Sequence, residues 1–180
     1  MKVLETNRLI IRRFKQEDWK DLYEYLSKEE VVKYEPYGVS SEIQCKEEAL
    51  RRSSDLAFWA VCLKDNNKLI GNLYFCEENP SEFQTWELGY VFNNDFQGKG
   101  YATEACNRLL QYGFESLKVR RIVAMCNPLN TSSWKLLERL RFRREGHSLQ
   151  TVYLKLDKEG NSIWSDTFTY AILRSEWETI

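Results

Sequence analysis

Midway along the chain stands Gln97-Gly98-Lys99-Gly100-Tyr101-Ala102-Thr103, a segment suited to holding an anion on main-chain groups. Thr85 to Phe92 (TWELGYVF) before it reads as a strand, and Asn93-Asn94-Asp95 are residues that turn the chain through their own backbone hydrogen bonds. After it, Ala102, Ala105, Leu109 and Tyr112 recur with the spacing of a buried helical stripe. In a strand, glycine loop and helix start, backbone N–H groups converge on a negative charge, the helix dipole adds to the attraction, and glycine admits close approach of a phosphate. Spacing sorts the phosphate ligands. A Walker A loop needs G-x-x-x-x-G-K-[ST], which is absent. A dinucleotide fingerprint needs a third Gly or Ala where Gly98-x-Gly100-x-x-Thr103 has threonine, and it opens the first β-α unit instead of lying mid-chain.

Other chemistry-bearing residues are sparse. Cys45, Cys62, Cys76, Cys106 and Cys126 are scattered and form no Cys-x-x-Cys pair, which argues against a disulfide framework and a zinc site and for free thiols in a reducing compartment. His147 is the only histidine, too few for an N/S metal site, so no metal is expected, and its position beyond the last helix suits a surface or sheet residue. With 26 Lys plus Arg against 27 Asp plus Glu, no basic face is announced for nucleic acid or membrane, and any anion must be met locally. No stretch has the apolar length of a signal peptide or of a span of about 18 residues, so a cytoplasmic location is expected.

These groups need a frame. The 180 residues suit one domain over 1–180, with no repeat, low-complexity tract or internal boundary. Arg8 to Phe14 reads as a strand, and Trp19, Leu22, Tyr23 and Leu26 then fall at helical spacing. Ser27-x-x-Glu30 and Ser41-x-x-Gln44 have the form of capping boxes and predict two further helix starts, the second helix running toward Arg52. Ala57 to Leu63 and Leu69 to Phe75 flank the turn cluster at 64–68 as a hairpin, and Glu77 to Gln84 reads as a loop. Ile122 to Cys126 is a short strand, Trp134, Leu137 and Leu140 mark a helix, and Arg143 to Leu173 reads as two long strands around 157–161. The result is a mixed α/β sheet with helices packed on it.

Read from Gln97, the glycine segment is Q-x-x-G-x-A and matches [QR]-x-x-G-x-[GA], the pyrophosphate loop of the GNAT acetyltransferases, at every specified position. The resemblance covers almost the whole chain. NRLIIRRF resembles the family's first strand, ELGYVF its fourth, and NPLNTSSWKLLERLRFRREG its fifth-strand-to-helix passage, while WSDTFTYAILRSEW is similar to the RimJ/RimL branch of ribosomal-protein alanine N-acetyltransferases. The resemblance implies a mostly antiparallel GNAT sheet, splayed between its fourth and fifth strands, with helices on both faces. It implies acetyl-CoA as co-substrate, its pantetheine against the main chain of Tyr90, Val91 and Phe92. The pyrophosphate would lie on the loop of Gln97, Gly98, Lys99, Gly100, Tyr101, Ala102 and Thr103, with Asn130 and Ser133 near the thioester and Lys99 and Lys135 toward phosphate charge. One position departs: Arg141 stands where the family usually has glycine, at a helix end that commonly turns left-handed, at a cost of roughly 1–2 kcal/mol to a side chain.

The implied reaction is direct attack of a neutral amine on the thioester. Glu87, three residues before Tyr90, is the candidate base; the competing reading is that it pairs with a neighbouring arginine or caps the sheet edge. Ser133 is an acid or a helix cap. Tyr101 and Tyr112 read as helix packing. Trp19, Tyr23, Tyr34, Tyr37 and Trp59 come from segments that line the family's acceptor cleft, with core packing favoured for Trp19 and Tyr23. An α-amine titrates near 8 and a lysine near 10.4, so freeing the lysine costs roughly 3 kcal/mol more at neutral pH. One modest base therefore suits a peptide or protein N-terminus; a small amine such as an antibiotic, polyamine or amino acid remains the alternative acceptor, and a CoA-binding module without turnover is a third reading. A homodimer is compatible with all of these.

Overall fold

The computed structural model describes residues 2–178. Eight strands form one sheet in the order β1-β2-β3-β4-β5-β6-β8-β7. They are β1 (Leu4–Glu5), β2 (Leu9–Arg12), β3 (Phe58–Leu63), β4 (Leu69–Glu77), β5 (Thr85–Phe92), β6 (Arg121–Cys126), β7 (Arg143–Leu156) and β8 (Ser162–Leu173). Every neighbouring pair is antiparallel except β5 and β6. That parallel pair is joined only at Thr85–Arg121, Trp86–Ile122 and Glu87–Val123, after which the two strands part. The expected fourth strand is thus the fifth, because Leu4–Glu5 adds an edge strand too short to show a period.

The helices are α1 (Trp19–Leu26), α2 (Glu29–Val32), α3 (Glu42–Ser54), α4 (Tyr101–Gln111), α5 (Thr131–Arg139) and α6 (Arg174–Trp177). Side chains on a strand alternate between faces, and β3 shows how this builds two cores. Trp59 and Val61 join Leu88, Leu109, Leu137 and Tyr170 under α4 and α5, whereas Ala60 and Cys62 join Leu22, Tyr25, Ala49 and Val91 under α1 and α3. On the second face, the Tyr25 hydroxyl donates to buried Asn72 at 2.8 Å, and Arg12 grips Asp18 through two bonds of 2.8 Å.

Ser41 and Gln44 form the expected capping box at α3. Ser27 does not form one: it closes α1, and α2 starts after Lys28 without a side-chain cap, since the chain still needs extended backbone at Lys28 to turn. The first strand stops at Arg12 because Asp18 also accepts from the Lys15 N–H and bends the chain there. Tyr23 is 39% exposed, so core packing does not hold for it, while Trp19 packs at the edge of the second core. Arg141 takes the left-handed turn expected of glycine, with φ 64°.

Candidate active site

The glycine loop is set by the turn that precedes it. Buried Asn93 donates its N–H to Ile70 at 2.9 Å and accepts from the Asp95 N–H at 3.1 Å, producing a short turn at Asn94–Phe96. Gln97 then binds Asn94 through its side-chain amide at 2.5 Å. Gly98 and Gly100 both have positive φ, 73° and 80°, a region costly to other residues. A Cβ at Gly98 would meet open space and one at Gly100 only Arg8 at 3.5 Å, so backbone conformation, not crowding within the chain, is what demands glycine.

α4 starts immediately, its first internal bond running from the Glu104 N–H to the Gly100 carbonyl at 3.0 Å. The N–H groups of Gly98, Lys99, Gly100, Tyr101, Ala102 and Thr103 find no acceptor among the described residues. Consecutive free donors at a helix N-terminus fit a diphosphate. The loop's own cation is held nearby: Lys99 Nζ donates to the Asp95 carbonyl at 3.2 Å and lies over Phe96.

The gap between β5 and β6 opens beside this loop. Beyond Glu87 and Val123, the β6-facing edge of Leu88 to Phe92 lacks a strand partner, which suits an amide-bearing pantetheine arm. The Tyr90 hydroxyl points to α5, within 3.0 Å of the Ser133 carbonyl and 2.9 Å of its hydroxyl. Burial holds the Tyr90 phenol well above its ordinary pKa, so it stays a proton donor. The α5 cap is Asn130, whose side chain accepts from the Ser133 N–H at 3.2 Å. Ser133 therefore does not cap α5 through its side chain; its hydroxyl belongs to the Tyr90 pair.

Glu87 lies on the opposite face from Tyr90, in register with Cys76 and Val123 at the last rung before the gap. Among the described residues it has no ion-pair or hydrogen-bond partner, so the arginine pairing is not made. Burial, and secondarily the charge of Glu78, raise its pKa above the usual carboxylate range. On the same face, Tyr34 of the loop between α2 and α3 donates to the Leu129 carbonyl at 3.2 Å and so ties that loop to the turn after β6. Next to it, burial lifts the Glu35 carboxyl to about 7, against the pull of Tyr37 and Arg52. Tyr37 and Arg52 also line a cleft of about 680 Å³ between this loop and α3.

The structure thus brings Tyr90, Asn130 and Ser133 together on one side of the gap and Glu87 on the other, with the segment from Gln97 to Thr103 following β5. Trp59 is corrected: it is 2% exposed in the core under α4, edge-on to Tyr112, and faces away from the α1–α3 side. His147 is an exposed β7 residue bonded to Asp166 at 2.9 Å. Lys135 is exposed on α5, its ammonium lying against Trp134. Among the described residues no group of three or more His, Cys, Asp or Glu is arranged to hold a metal. Sequence reasoning missed Glu35, whose burial depends on a loop, and the contacts of Arg8 and Glu104, which are 96 positions apart.

A family model described as an acetyltransferase (GNAT) domain matches residues 8–143. An uncharacterized N-acetyltransferase of Bacillus subtilis (strain 168) is 39% identical over 175 residues, covering 97% of this chain and 98% of its own. The ribosomal protein uS5-alanine N-acetyltransferase of Escherichia coli (strain K12) is 29% identical over 185 residues, covering 97% and 92%. The crystal structure of a GNAT-family acetyltransferase from Bacillus anthracis is similar with a TM-score of 0.88 and 35% identity, over 97% of this chain and 100% of that one.

Proposed function

This chain belongs to the GNAT acetyltransferases, and on that premise we propose that it moves the acetyl group of acetyl-CoA to the α-amine of a peptide or protein N-terminus. The observation that carries the reading is the run of unpaired N–H groups from Gly98 to Thr103 beside the gap between β5 and β6. Acetyl-CoA supplies an activated thioester carbonyl and a sulfur leaving group. The amides from Gly98 to Thr103 hold its diphosphate, and the unpaired edge of Tyr90, Val91 and Phe92 orients the pantetheine.

Glu87 takes the amine proton, directly or through one water. Its raised pKa brings it nearer neutrality, where a base is both ionised and effective. The Tyr90–Ser133 hydroxyl pair offers a proton toward the departing sulfur. The preference for an α-amine rests on acidity: a single modestly basic carboxyl deals with a group titrating near 8 better than with one near 10.4. The named activity of the Escherichia coli relative agrees with it. One catalytic domain over 1–180, working in the cytoplasm, is part of the same proposal. Among the described residues no helix is long and apolar enough to cross a membrane.

An acetylation assay over N-terminal peptides, polyamines, amino acids and aminoglycosides tests the reading. Turnover of peptides with free α-amines, abolished by prior N-terminal blocking, is the expected result. Preference for a small amine refutes the acceptor assignment alone, and binding of acetyl-CoA without turnover of any amine refutes the enzymatic one.

A further inference from the structure

Arg8 immediately precedes β2, yet its side chain is committed to the glycine loop on the far side of the sequence. Its Nη1 donates to the Lys99 carbonyl at 3.0 Å, its Nε donates to Glu104 at 2.7 Å, and Nη2 lies 2.6 Å from the same carboxylate. Its guanidinium covers the Tyr101 ring at 4.4 Å. Glu104 is held from other directions too, accepting from Thr6 Oγ1 at 2.5 Å and from the Arg8 backbone N–H at 3.1 Å. Burial alone would raise the Glu104 pKa, but the bonds from Thr6 and Arg8 outweigh it and keep the group ionised.

The consequence follows from the planarity of the peptide. In a trans peptide the carbonyl and the following N–H point in opposite directions. Fixing the Lys99 carbonyl outward against Arg8 therefore fixes the Gly100 N–H inward, among the free donors of the loop. Without such a tie this peptide could rotate, because glycine at position 100 accepts φ values of either sign. We propose that Arg8, braced by Glu104, is a positioning residue that locks the Lys99–Gly100 peptide so that the Gly100 N–H is presented to the pyrophosphate of acetyl-CoA. This rests on the assignment of the loop to the pyrophosphate. Glu104 is the informative member of the pair, since it is an anion on the first turns of the helix that must receive another anion. A role limited to its charge would oppose binding; a role as brace favours it.

Calorimetric titration with CoA separates these cases. Arg8→Gln should weaken CoA binding about tenfold, as for loss of one charge-assisted hydrogen bond. Its melting temperature should hold near wild type, because the Arg8 side chain is 47% exposed. Arg8→Lys keeps the charge but cannot bridge the Lys99 carbonyl and Glu104 at once, so it should remain severalfold weaker than wild type. Glu104→Ala should also weaken binding severalfold. In ligand-free Arg8→Gln, the NMR signal of the Gly100 amide should broaden or shift while those of β3 and β4 stay put. Full recovery in Arg8→Lys, or tighter or unchanged binding in Glu104→Ala, would overturn the lock and leave Arg8 a simple charge. If Gly100→Val binds CoA like wild type, the pyrophosphate is not on this loop and the lock falls with that assignment. Loss in Gly100→Val beside normal binding in Arg8→Gln sinks the lock alone.

Discussion

Glu87 and Glu35 are carboxyls raised by burial for opposite ends. For Glu87, in the proposed role of base, the gain is basicity: the ionised form would take a proton more readily, and the acid limb of the rate profile would move up in pH. Glu87→Gln keeps the shape and loses the base, so kcat should drop by about 10²–10⁴-fold while CoA affinity holds. Raising the pH toward 8 supplies neutral α-amine without help, and the variant should then recover part of its rate. Equal loss at every pH would make Glu87 a spacer. For Glu35 the gain is on the side of stability in acid. With a folded value of about 7 above an ordinary 4.5, the folded chain holds more protons than the unfolded one between those limits. This contribution to stability is complete below the lower value and fades as pH rises to the upper one. Glu35→Gln should therefore flatten the fall in unfolding free energy from about pH 5 to 7, measured by urea titration; an unchanged slope would place its origin elsewhere.

Elements were legible where a period or a cap declares them. The hairpin strands, the Ser41 cap and the α4 stripe of Ala105 and Leu109 follow from local pattern, and the glycine turn before α4 from Gly98 and Gly100 ahead of that stripe. Two-residue β1 has no period to read, and Ser27 satisfied a pattern while the backbone around it ended one helix before starting the next. The facing of Glu87 required the register of β5 against β4, and the Arg8–Glu104 brace joins segments that no local rule connects. At the end of α5, Arg141 carries the cost of a left-handed turn: its N–H reaches Glu138 at 3.0 Å and Phe142 reaches Leu137 at 3.0 Å, so the turn closes despite the side chain. Arg141→Gly should raise unfolding free energy by up to about 1 kcal/mol, with no change in CoA affinity. A loss of stability there would mean that the arginine side chain contributes more than its backbone costs.

Across the whole molecule, two antiparallel halves, β1 to β5 and β6 to β8, share one sheet through three parallel rungs and the packing of α4 and α5. A ligand bridging both halves acts on the native state only. Acetyl-CoA at about 100 times its dissociation constant should add about 2.7 kcal/mol to stability, read as a rise in melting temperature. No shift together with no measurable binding would end the acetyltransferase reading of the loop.

The gap after Glu87 has a further consequence, for survival of the chain rather than for catalysis. Two strand edges face each other in mid-sheet, and under the proposed binding mode a metabolite supplies the material between them. On that binding mode, occupancy by acetyl-CoA stabilises the native state against the openings that a protease needs, so resistance to cleavage rises with ligand concentration. Limited proteolysis over a range of CoA concentrations would show cleavage slowing in step with occupancy, and a cleavage rate indifferent to CoA would dissolve the link.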